Sequence, residues 1–154
     1  MSETYNEGAF DLVLVGAISK DENIYKDRNE RSIGGAVTYG AFSVKRSGSS
    51  VGVITKLAEE DHHLLDQICD EQIPVWVWPS KKTTAIRNVY HSSDKECRTC
   101  TCLAATDAFS PENLPTLSTK IIHAAALVSL KLESPGPFRG TLKDVLVKIN
   151  AQQS

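Results

Sequence analysis

The sequence predicts an α/β protein in which a parallel βαβ core carries an antiparallel β lid. Three observations lead there. The runs Asp11 to Ala17 and Val51 to Thr55 are almost continuously apolar, the composition of strands buried on both faces of a parallel sheet. Between them, Ser32 to Gly48 places Val37, Ala41 and Val44 at helical spacing after a pair of glycines. Farther along, Thr84 to His91 and Glu96 to Leu103 are rich in β-formers and flank the polar turn Ser92 to Lys95, as in a half-exposed hairpin.

The first strand ends at Gly16, and Asp21 follows just past its C-terminal end, the edge where open α/β sheets gather ligands. Asp21 is therefore a candidate acceptor of hydrogen bonds from a polyol; its plainer role would be an exposed loop carboxylate. The polar stretch up to Arg31 reads as a loop or a short edge strand over the site. Gly34 and Gly35 then open the helix. Two readings fit them: a ligand oxygen approaching the free N–H groups of the first turn, or a tightly packed glycine turn. A small-residue stripe, Ala36, Gly40 and Ser43, suits close approach to a sheet, and Arg46-Ser47-Gly48 gives a basic last turn with a glycine stop.

Strand, helix, strand in this order predicts a right-handed crossover and parallel pairing. Glu59 to Cys69 reads as a second helix with acids in its first turn and Leu64, Leu65 and Ile68 on its apolar face; His62 and His63 point to solvent. Ile73 to Trp78 alternates as a strand, and Pro74 assigns it to an edge. Ser110 to Asn113 begins a short helix with serine as cap and proline in its first position. Lys120 to His123 and Ala126 to Leu130 read as buried strand, Ser134 to Pro137 as a turn, and Thr141 to Ile149 as a helix.

A chain of 154 residues holds one domain with a real core, and a net charge of −2 gives no reason to expect a nucleic acid or an acidic membrane surface as partner. The N-terminus lacks the form of a signal peptide and no apolar run is long enough to span a bilayer, so the reading is a soluble, cytoplasmic protein with reduced thiols. Cys97, Cys100 and Cys102 have a zinc-like spacing, but on a strand Cys97 faces away from the other two, and no metal site is expected.

Taken together, a strand ending VGAISKD, the helix GGAVTYGAFSVKRSG, the strand VGVITKLAEED, the hairpin TTAIRNVY and ECRT, and the strand IIHAAAL resemble the N-terminal part of the ribokinase/PfkB-type carbohydrate kinases, from about Asp11 to Leu132. The resemblance implies a partial ribokinase-like fold, with residues 1–154 as the substrate-binding and lid portion. It matches Asp21 to the substrate-contacting acid, Gly34 and Gly35 to the sugar-pocket diglycine, Thr84 to the threonine-rich lid strand and Arg98 to the lid hairpin arginine.

It also implies a sugar or nucleoside as small-molecule ligand, with a homodimer contact through the lid. Tyr39 stands where the family often has a substrate-reaching asparagine, and Leu57-Ala58 replaces the usual valine-glycine, so that either Glu60 or Asp61 matches the following aspartate. The family's GxGD segment, which supplies the catalytic base and the anion hole, does not occur in the sequence. The expectation is therefore the acceptor-binding half of an ATP-dependent sugar or nucleoside kinase, or a non-catalytic sugar-binding or dimerisation module derived from it. No catalytic residue is assigned, and ATP and magnesium are expected only with a C-terminal half.

Overall fold

The computed structural model of the chain describes residues 9–92 and 97–124. β1 (Phe10–Val15) lies at the heart of a parallel sheet of order β5-β4-β1-β8, formed with β4 (Val51–Leu57), β5 (Val75–Pro79) and β8 (Thr119–Ala124). Its apolar run is buried because it has a strand on each side and packing on each face. On one face Leu14, Val51, Val53 and Leu57 meet Val37 and Ala41 of α1 (Ala36–Arg46) and Ile68 of α2 (Asp66–Asp70). On the other, Phe10, Val13, Val15 and Ile54 pack with Trp76, Trp78, Phe109 and Leu114. The expected βαβ unit is present, and β5 is the edge strand that Pro74 implied.

The second sheet has the order β3-β2-β6-β7, built from β2 (Ser19–Ile24), β3 (Asn29–Gly34), β6 (Thr84–Tyr90) and β7 (Arg98–Ala104). Its outer pairs are antiparallel, but the central pair, β2 with β6, is parallel, so the lid is a mixed sheet. Of the two readings left open before Arg31, a loop or a short edge strand, the structure shows strands, with β3 at the edge of the sheet. SKDENI and NERSIG are true strands whose polar alternation follows from having little core beneath them.

Glu59 to Cys69 also differs from the expected single helix: a 3-10 segment, Glu59–Leu65, leads into the short α2. Its apolar face is as expected, with Leu64 and Ile68 buried and His62 and His63 exposed. In the small-residue stripe of α1 only Gly40 approaches the sheet, beside Leu14, whereas Ala36 and Ser43 are exposed. Ile121, expected to be buried in β8, is 60% exposed. The turn after Ser92, the strand Ala126 to Leu130, the turn at Ser134 and the helix Thr141 to Ile149 lie outside the described residues. Among the described residues no helix is long and apolar enough to cross a membrane.

Candidate functional site

The chain passes from β1 into the lid through residues 16–18 and returns from β3 into α1 through Gly35. These two passages touch. Gly35 has φ 98°, and a Cβ there would run into the carbonyl oxygen of Ala17, so only glycine lets α1 start this close to the end of β1. The adjacent Gly34 has a different reason: a Cβ there would overlap the carboxylate of Asp21. The packed-turn reading of the diglycine therefore holds at Gly35, and at Gly34 the space is occupied by the Asp21 carboxylate.

Asp21 lies within β2, opposite Ser32 of β3 and Ile86 of β6. It is not a loop residue, and its direction is set by strand alternation: Ser19 and Asp21 share one face, Lys20 and Glu22 the other. The buried Ser19 donates from Oγ to Asp21 Oδ1 at 2.6 Å, fixing the carboxylate over Gly34. Nearby, α1 begins without a side-chain cap and without an acid in its first turn. Thr38 supports the turn from inside, its Oγ1 donating to the Gly34 carbonyl at 2.8 Å. A carboxylate acceptor therefore sits beside open backbone donors, an arrangement that can grip neighbouring hydroxyls of one ligand from both sides.

The other expected residues are less closely gathered. Thr84 is opposite Ser19 in the lid, and its hydroxyl accepts the Thr106 N–H at 3.2 Å. Tyr39, 60% exposed, is on α1 just beyond the turn, its hydroxyl 3.4 Å from the Ile33 carbonyl. Arg98 is not brought to Asp21: it pairs with Tyr90, four positions along β6 from Ile86, and its guanidinium stands over the Tyr90 ring at 5.9 Å.

Sequence reasoning missed Ser19, Thr38 and the role of Lys20. A strand reading of SKDENI would have put Ser19 on the face of Asp21, and Thr38 is four residues after Gly34 in a helical run, the spacing of a side-chain bond back to the carbonyl. Lys20 Nζ donates to Asp61 Oδ2 at 2.7 Å. Asp61 is buried whereas Glu60 is exposed, so of the two acids only Asp61 joins the lid to the core. Burial pushes its carboxyl up, but hydrogen bonds from Lys20 and Thr83, with the Lys20 charge, outweigh this and hold it below the ordinary value.

A groove of about 810 Å³ runs between the lid and the 3-10 segment, with Lys20, Asp21, Arg31, Asp61, Leu64 and Arg87 among its walls. Most of its lid lining comes from the face opposite the Asp21 to Gly34 contact. Among the described residues no three His, Cys, Asp or Glu side chains group to hold a metal ion, and Cys97, Cys100 and Cys102 are exposed.

No family model matches the sequence, and no curated protein matches it. Solved structures do. A sulfate complex of a pyrophosphate-dependent kinase in the ribokinase family is similar at 30% identity and TM-score 0.67, over 73% of this chain and 40% of that one. A pyrophosphate-dependent kinase of the ribokinase family complexed with a pyrophosphate analog and myo-inositol is similar at 27% identity and TM-score 0.64, over 73% of this chain and 39% of that one. At the level of fold alone, fructokinase from Vibrio cholerae O395 bound to fructose, ADP and calcium ion matches at 14% identity and TM-score 0.58, over 74% of this chain and 40% of that one. The chain thus spans about 40% of the length of the structures it matches. Over that span it resembles the ribokinase/PfkB-type carbohydrate kinases, with the ribokinase-like fold of their N-terminal part.

Proposed function

We propose that this chain supplies the acceptor-binding face and the lid of a kinase that phosphorylates an alcohol group of a sugar, cyclic polyol or nucleoside. The observation that carries this reading is the Asp21 carboxylate, held by Ser19 over Gly34 beside the uncapped start of α1. Vicinal hydroxyls donate to Asp21 and accept from the first-turn N–H groups, Thr84 borders the subsite from β6, and Tyr39 sets the breadth of its open side. The similarity to a kinase complexed with myo-inositol favours a cyclic polyol as the first ligand to try.

Phosphoryl transfer needs a base and an anion hole for the transferring group. The sequence contains no GxGD segment to provide them, so these 154 residues bind the acceptor and do not phosphorylate it alone. The exposed outer strand β7 favours a second copy of the chain as a lid partner. Calorimetric titration with myo-inositol, fructose and inosine, followed by a turnover assay with ATP or pyrophosphate, tests the reading. Saturable binding of one ligand without turnover is expected; turnover by the 154 residues would overturn the catalytic part, and no binding of any of the three would overturn the rest.

A further inference from the structure

Lid and core are separate sheets, joined where the chain crosses from one to the other at residues 16–18, 35, 80–83 and 105–109. Something must set the angle between them. Asp61, in the 3-10 segment that follows β4, is buried and meets Lys20 of the lid at this junction. One oxygen receives Lys20 Nζ at 2.7 Å, and Lys20 belongs to β2, directly before Asp21. Thr83, the residue immediately before β6, lies at the same junction. Thr83 is buried too, and its Oγ1 accepts the Ala58 N–H at 3.0 Å, which holds it to the core in turn. The core therefore holds both central strands of the lid where they leave it, β2 through the Lys20–Asp61 pair and β6 through Thr83.

We propose that Asp61 is a positioning residue: through Lys20 it fixes β2, and with it the height of the Asp21 carboxylate above the start of α1. The consequence for ligand affinity rests on the acceptor-site reading given above, whereas the anchoring of the strands does not. A carboxylate is suited to the task because it accepts a short, charge-assisted bond from the ammonium that the fold brings to it. Breaking one partner leaves the other buried group unpaired, so the lid strands, with little core beneath them, loosen before the parallel sheet does.

Hydrogen exchange of the full chain, residue by residue, separates these effects. In Asp61→Asn, amides of residues 19–24 should exchange at least tenfold faster and those of residues 84–90, their neighbours in the lid, by a smaller factor, while residues 12–15 and 51–55 keep their protection. Lys20→Met, at a half-exposed position, should loosen residues 19–24 more than 84–90 even if the Asn variant folds poorly, and Lys20→Arg should restore protection. Affinity for myo-inositol should fall about tenfold in Lys20→Met and return in Lys20→Arg. Unchanged exchange in the lid strands of Lys20→Met overturns the anchor. Loosened strands with unchanged affinity overturn the positioning of Asp21. If the unaltered chain binds no polyol, the acceptor-site reading fails, and the exchange data alone uphold or overturn the anchor.

Discussion

The carboxylate of Asp21 occupies the space over Gly34 that a side chain at that position would fill. Gly34 and Gly35 are neighbours in sequence, yet the obstacles in front of them differ in kind: the end of a movable side chain for one, the backbone of Ala17 for the other. This separates folding from binding at adjacent residues. Gly34→Ala displaces Asp21 from its Ser19 bond without backbone strain, so it should cost about 1 kcal/mol in stability while polyol affinity drops at least tenfold. Gly35→Ala meets both a positive φ and fixed backbone and should cost about 3 kcal/mol in denaturant unfolding.

Arg98 and Tyr39 are expected to behave differently although the family resemblance points to both. Arg98→Ala removes a contact with the Tyr90 ring far along the lid and should leave polyol affinity within twofold of the original. Tyr39→Asn alters an exposed side chain at the start of α1, so the order of preference among myo-inositol, fructose and inosine should change while unfolding stability stays within about 0.5 kcal/mol. Parallel titrations of the two variants check both expectations.

Acid should weaken the opposite end of the parallel sheet. Lys120 and Ser50 hydrogen-bond to Asp11 and draw its carboxyl from 3.8 down to about 2. Because the folded value is the lower one, this tie contributes stability above pH 3.8 and loses it as the pH falls toward 2. The melting temperature should therefore drop more steeply between pH 4 and 2.5 in the unaltered chain than in Asp11→Asn. Equal slopes would show that the exposed tie is screened to insignificance.

Much of this fold was legible because burial writes itself into apolar runs. β1 and β4 are read from their continuous hydrophobic composition, α1 from Val37 and Ala41, and the β6-β7 hairpin from its polar turn. β2 and β3 were legible only as a choice between a loop and one short edge strand, since a sheet with little core under it needs no apolar alternation. That hid the strand setting of Asp21 and with it Ser19. Asp21 and the diglycine were picked out by their places after β1 and before α1, the resemblance matched the same residues, and the structure separated what stands against Gly34 from what stands against Gly35. Lys20 and Asp61 are 41 positions apart and meet only because two sheets cross there, which no local pattern announces.

The most direct test of the acceptor site is Asp21→Ala, titrated calorimetrically with whichever polyol the unaltered chain binds, alongside thermal unfolding. Two hydroxyl hydrogen bonds to a carboxylate correspond to about 3 kcal/mol, so affinity should fall about 100-fold with the melting temperature nearly unchanged. Affinity within threefold of the original in a folded Asp21→Ala protein would contradict the assignment of the site.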